Sequence, residues 1–546
     1  MEQRRLILLV VFLFSLFMLW EGWVRQNTPV PPPAPAASPA ASPSATRDEV
    51  PVTESQQIAS DAKALRSSDA LPAKTLRVET DRYLVEISEQ GGDIVFLALK
   101  DHRDRERQDQ PFILFEDGRL KHTYRVQSGV VGDGMPNHHS HWQLPAEAMH
   151  LQEGQSALTV TLTASTADGR TVRKILRFAR GSYLIDVRHE IDGGGPLTTY
   201  YHFLRDDKPA EEQQVFGVHT YTGPAIYTEA TKYRKIDFKA IAEGKAEYPS
   251  QAQDGWLAMI QHYFVAAWLP PEGVAREYYL RRLSNGLYQA GVLLTGDGTT
   301  STRLYAGPQD QKVLGSIAPG FDLVVDYGWL TFIAAPLFWV LSWLHGLTGN
   351  WGWAIILVTV LIKALFYPLS AASYRSMAKM RLVMPRLQKI KEAYGDDKVR
   401  LQQEMMRLYQ EEKINPLGGC LPILVQIPVF IALYWVLLAS VEMRHAPWLG
   451  WVTDLSSRDP YFILPLLMGA TMFIQMRLNP QPADPLQAKL MMGMPIVFTF
   501  MFLWFPSGLV LYWLTNNLLS IAQQWWINRQ LERMGLGHKA IKAAND

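Results

Sequence analysis

Lys363 is the residue whose surroundings most demand a chemical explanation. It sits in the otherwise uncharged run Trp351 to Leu369, twelve residues past Trp351, which is about 18 Å along a helix at 1.5 Å per residue. A lysine near the centre of a membrane helix costs about 2.5 to 3.5 kcal/mol. The usual compensation is a carboxylate on a neighbouring helix, yet none of the apolar runs contains Asp or Glu within its uncharged stretch. The ammonium therefore either snorkels to the nearer interface or faces water inside a bundle. Other polar residues bear on that choice. Thr359 lies one turn before Lys363. Gln426 falls in the next apolar run, and Thr471 and Gln475 in the one after. Tyr512, Asn516, Ser520 and Gln523, spaced 4, 4 and 3, form one stripe in the last. Such a stripe is expensive in hydrocarbon unless it lines a wet cavity or pairs across helices, and both readings stay open. The chemistry implied is electrostatic capture of an anion rather than bond making. A proton pump needs intramembrane Asp, Glu or His, and a serine protease needs a base beside its serine; the core runs supply neither.

Elsewhere, reactive groupings are thin. His138, His139 and His141, with Asp133 nearby, could put two imidazoles on one face of an extended segment. No third spaced ligand accompanies them, and GMPNHHSH reads as a polar surface loop, so no metal is expected. Cys420 is the only cysteine, which excludes an internal disulfide and argues against a thiolate zinc site. There is no glycine-rich phosphate loop and no GxSxG elbow, so neither a cofactor nor an enzymatic reaction is expected. With 53 basic against 52 acidic residues, a net charge of +1, whole-protein electrostatics do not point to nucleic acid.

The elements that would position these groups fall into six parts. Residues 1–25 hold an uncharged stretch, Leu6 to Trp20, after Arg4 and Arg5. It reads as a transmembrane anchor with its start in the cytoplasm, or as a cleaved signal peptide; either exports the chain downstream of it. Residues 26–70, rich in Pro, Ala and Ser, read as an extended linker. Residues 71–325 alternate as strands: Tyr83 to Ile87, Ile94 to Leu99 after Gly91-Gly92, Ala157 to Thr166, Thr171 to Phe178, Tyr183 to Ile191, Tyr278 to Leu283 and Leu287 to Leu294. Asp168-Gly169 and Asn285-Gly286 are hairpin signals. The pattern predicts a large antiparallel sandwich.

Residues 348–528 hold five short apolar runs interrupted by Pro422, Pro428, Pro465 and Pro495, as in a bundle that thins the bilayer or lines a cavity. Within them, 370–417 reads as an amphipathic helical hairpin split at Gly395-Asp396. Leu387, Ile390 and Tyr394 form one stripe and Val399, Met406 and Tyr409 its partner, and Pro385 should kink or restart the first arm. This loop carries ten basic residues, so the positive-inside rule puts it in the cytoplasm. That requires 326–347 (Trp329 to His345 at its heart) to lie flat at the outer interface as an interfacial amphipathic helix. Six spans and two cytoplasmic termini result, with 529–546 a basic tail.

Four stretches carry a specific resemblance: YRSMAKM (Tyr374 to Met380), INPLGGCLP (Ile414 to Pro422), DPYFILPLLMGATM (Asp459 to Met472) and LWFPSGLVLYW (Leu503 to Trp513). Through them the chain resembles the YidC-type membrane protein insertases in their Gram-negative form, over essentially its whole length. The resemblance implies an inner-membrane protein with an uncleaved first span, a periplasmic β-supersandwich and a five-helix core. It also implies a groove open to cytoplasm and lipid but closed to the periplasm. The partners implied are nascent membrane proteins, the Sec translocon, the ribosome (through the hairpin and basic tail) and membrane lipid. Thr359, Gln426, Tyr512 and Trp513 fall on positions lining the family's groove or slide, and Asn516 and Ser520 continue the stripe. Lys363 stands where the family usually has arginine, keeping the charge but losing the planar bidentate fork; Trp513 replaces a frequent tyrosine. The rival reading is a lipid or small-anion transporter capped by a β-domain.

Overall fold

The computed structural model describes residues 74–104, 107, 109–118, 122–208, 220–395, 397–412, 421–478 and 485–533. The expected first span, the linker, most of INPLGGCLP and the tail past Arg533 lie outside the described residues.

Among the described residues, eighteen strands form two sheets, one of ten and one of eight. Ala157–Ser165 pairs antiparallel with Thr171–Ala179 about Asp168-Gly169, and Arg276–Arg282 pairs with Tyr288–Asp297 about Asn285-Gly286. Alternation drives the packing: Leu158, Val160 and Leu162 are buried while Thr159 and Thr161 between them are exposed. The sheets meet through aromatics. Phe112 stacks on Phe264 at 4.0 Å, and the Tyr83 hydroxyl donates across to the Ala306 carbonyl at 2.7 Å. Gly91 and Gly92 turn with φ of 77° and 59°, a conformation costly for residues with a Cβ. That turn aims carbonyls inward: buried Lys174 donates to Gly91 O at 2.7 Å and Ser128 O at 2.8 Å, over the Trp142 ring. Burial pushes this ammonium down to about 8.

The described residues also form ten helices: α1 (Phe238–Ala242), α2 (Gln311–Ile317), α3 (Thr331–Thr348), α4 (Trp351–Leu365), α5 (Tyr367–Tyr394), α6 (Lys398–Glu411), α7 (Leu421–Ala439), α8 (Ile463–Leu478), α9 (Pro485–Phe502) and α10 (Ser507–Arg533). Gly349, with φ 65°, ends α3, and Asn350 starts α4 by accepting from Gly352 N at 2.9 Å and Trp353 N at 3.2 Å.

Three local expectations are corrected. The run from Trp351 does not continue to Leu369 as one helix: it ends at Leu365 and α5 leaves at 67°, because Pro368 has no N–H to offer the Ala364 carbonyl and its ring clashes with it, while the first turn of a new helix tolerates proline. Lys363 is thus in the last turn of α4 rather than mid-helix. Pro385 does not restart α5, which runs unbroken past it; the hydrogen bond it removes is offset by Val383 and Leu387 packing on Leu408. The partner stripe on α6 is Met405, Leu408 and Tyr409, not Val399 and Met406, which are 69% and 47% exposed. Spacings of 3 and 4 keep the true stripe on one face, whereas Val399 and Met406, seven apart, share another face turned about 100° away.

By length and composition α3 is apolar enough to cross a membrane; α4 with the start of α5 passes only as a bent pair, and the apolar parts of α7, α8 and α9 are shorter.

Candidate functional site

Three helices bring the polar residues together. On α10, the four-residue spacing of Tyr512, Asn516 and Ser520 places them on the face toward α4 and α7. Lys363 Nζ donates to Ser520 Oγ at 2.8 Å, and Ser520 in turn donates to Asn516 O at 2.7 Å. Gln426 Nε2 donates to Asn516 Oδ1 in a short hydrogen bond. The Tyr512 hydroxyl lies beside Gln426. The result is a column from Lys363 through Ser520, Asn516 and Gln426 to Tyr512. Lys363 meets a neutral hydroxyl, and among the described residues no carboxylate is paired with it.

Exposure divides the column. Tyr512, Ser520 and Asn516 are buried, at 1%, 2% and 8% exposure. Lys363, Gln426 and Trp513 are half-buried and can be reached from outside. Trp513 sits edge-on to Phe430 at 4.7 Å and beside Phe502 at 5.5 Å, an apolar wall next to the column. Thr359 does not join: it is buried and its hydroxyl donates to Ile355 O at 2.6 Å, one turn back on α4. Thr471 and Gln523 also stand apart. Thr471 accepts from Asn517 Nδ2 at 3.3 Å on another face of α10, and Gln523 Nε2 has no hydrogen-bond partner among the described residues.

One neighbour escaped sequence reasoning. Tyr374, the first residue of YRSMAKM, lies beside Ser520. The α4–α5 bend carries it there, so without that bend no spacing pattern could have linked it to Lys363.

The histidines of the 138–141 segment meet separate partners. His138 is buried, with Nδ1 2.5 Å from the Tyr200 hydroxyl, and His141 lies 3.2 Å from Glu89. A turn, not an extended strand, separates them. Among the described residues no three His, Cys, Asp or Glu side chains are grouped to hold a metal.

The end of the bundle that adjoins the sandwich is tied by the segment between α7 and α8. Asn350 Nδ2 donates to Pro447 O at 3.0 Å. Ser457 O accepts from Ser507 N at 2.7 Å, and Leu455 O from Gly508 N at 2.9 Å. Buried Asp459 accepts from Leu464 N at 2.7 Å at the start of α8. A column reachable near Lys363 and clasped at the opposite end can hold a polar, acidic segment electrostatically; it holds no paired acid and base for bond chemistry.

Two family models match the chain: "YidC periplasmic domain" over residues 75–340 and "60Kd inner membrane protein" over residues 343–534. A "Membrane protein insertase YidC" of Aromatoleum aromaticum is 54% identical over 550 residues, spanning 99% of this chain and 100% of that one. The protein of the same name from Dechloromonas aromatica is 50% identical and spans all of both chains. A solved "active YidC insertase" with its first transmembrane domain resolved aligns with 83% of this chain and 93% of its own at 20% identity, with a TM-score of 0.41.

Proposed function

The chain belongs to the YidC family of membrane protein insertases, non-enzymatic factors whose clients are membrane proteins, and from that premise we propose that the polar column receives the client. The acidic outer tail of a short client is drawn to Lys363, and its apolar helix leaves along α7 and α9 into lipid. The observation that carries this reading is the Lys363 ammonium, half-buried on Ser520 with no carboxylate partner among the described residues. Exposed Ile427 on α7 and Ile496, Val497 and Phe500 on α9 supply an apolar exit path. At 15 residues, α4 is about 22 Å long, short of the roughly 30 Å hydrocarbon core. A locally thinned bilayer lowers the barrier for the tail.

The same reading sets the topology. The basic residues of 370–417 keep the α5–α6 hairpin in the cytoplasm, so α3 lies flat at the outer interface, with exposed Phe332, Trp339 and Trp343 toward lipid. Six spans and two cytoplasmic termini result, with the anchor at 1–25, the linker at 26–70 and the core over 348–528. The hairpin's basic outer face and the tail 529–546 serve as ribosome contacts, and the Sec translocon is the partner for larger clients.

The test uses purified full-length protein alone in proteoliposomes, with a single-span client bearing an acidic outer tail. Protease protection of that tail supports the reading. Lipid or anion flux without tail protection supports the transporter reading instead.

A further inference from the structure

Arg444, in the segment after α7, has its guanidinium inside the sandwich rather than in solvent. It is 8% exposed, and its centre lies 5.0 Å from the Phe112 ring, 5.2 Å from Phe264 and 6.0 Å from Tyr263. Phe112 belongs to the ten-stranded sheet and Phe264 to the eight-stranded one. The arginine therefore enters where the two sheets meet, on the ring pair stacked at 4.0 Å.

Two further bonds cross the same boundary. His262 Nε2 donates to Leu438 O at 3.0 Å, and His445 Nε2 to Arg103 O at 3.3 Å. Both histidines have positive φ, 30° and 57°. Non-glycine residues hold such conformations only where the surroundings over-determine them. This segment is also the one that ties α4, α8 and α10 at their outer ends through Pro447, Asp459, Leu455 and Ser457. One loop thus carries both the bundle's clasp and the sandwich's grip.

We propose that Arg444 is a positioning residue that couples the sandwich to this clasp, so that the periplasmic domain holds shut the outer end of the helices lining the column. The coupling stands whether or not clients enter the column, and its test involves no client.

Hydrogen–deuterium exchange on the full chain reads the coupling directly. Arg444→Met keeps an apolar stem but removes the cation; Arg444→Lys keeps a cation over the rings. Loss of a desolvated cation–π contact in Arg444→Met should speed exchange of the Met443, Ala446 and Leu455 amides about 30-fold. Arg444→Lys should stay within about threefold of the parent. A mere space-filling role predicts the reverse order. Phe112→Leu attacks the same contact from the sandwich side and should reproduce the effect. The Ala157–Ala179 hairpin is the control for intact folding. Unchanged exchange at all three amides in Arg444→Met and Phe112→Leu, or equal exchange in the Met and Lys variants, overturns the proposal.

Discussion

Replacing Lys363 by methionine removes the charge while keeping the length of the side chain. The ammonium is held at 2.8 Å from Ser520 Oγ, a neutral partner, so an incoming carboxylate does not have to break an existing ion pair. Two unit charges about 4 Å apart interact by about 4 kcal/mol at an effective dielectric near 20. The carboxylate loses hydration on entry, which reduces the net gain to the 1.5 to 3 kcal/mol typical of a hydrogen bond to a charged group. At about 1.4 kcal/mol per tenfold, Lys363→Met should slow insertion of an acidic-tailed client roughly 10- to 150-fold. A client of the same apolar helix with a neutral tail should change little. Lys363→Glu should be worse for acidic tails, because attraction becomes repulsion, and Lys363→Arg should restore them through its planar fork. The assay is protease protection over time in proteoliposomes, with tails carrying zero to three acidic residues. Equal slowing for neutral and acidic tails would make Lys363 a structural residue and refute the reasoning.

Gln426→Leu leaves Asn516 Oδ1 without its donor and should cost about 1 to 3 kcal/mol, read as a lower melting temperature of the detergent-solubilised protein. Lys174→Met leaves the carbonyls of Gly91 and Ser128 unpaired in the sandwich core and should lower its denaturation midpoint. In the parent, burial holds Lys174 at about 8 against an ordinary 10.5; the unfolded chain binds more protons between those values, so sandwich stability should rise with pH across that window. His102 is pushed down to about 4, first by burial and then by Arg444. Its neutral form is the folded one, so stability is present above about 6.5 and lost as pH falls toward 4, by about 3 kcal/mol at most. Urea midpoints measured with His102→Leu as reference should isolate that loss.

Much of the fold was legible because local signals agreed with the global answer. Asp168-Gly169 and Asn285-Gly286 named two hairpins that form in register, and alternation named their buried faces. The spacing of Tyr512, Asn516 and Ser520 identified the face of α10 that meets Lys363. What stayed hidden depends on where the chain bends. The break at Phe366 results from Pro368, which cannot donate to the Ala364 carbonyl, but apolar composition runs straight through it, and so Lys363 reads as a mid-helix charge until the bend puts it in a last turn. The same bend brings in Tyr374. Thr359 illustrates the opposite limit: it shares a face with Lys363 by periodicity, yet its hydroxyl is satisfied by Ile355 O within its own helix. The Arg444 joint had no sequence signal, since Phe112, Phe264 and Arg444 are brought together only by tertiary packing.

The central claim, that clients occupy the column, is tested most directly by photocrosslinking from its reachable residues. A photoreactive side chain placed at Gln426 or Trp513, both half-buried at the column, should capture a stalled nascent chain, while one at buried Thr359 should not. Capture of lipid or solute alone from Gln426 and Trp513, with no nascent chain, would contradict the account.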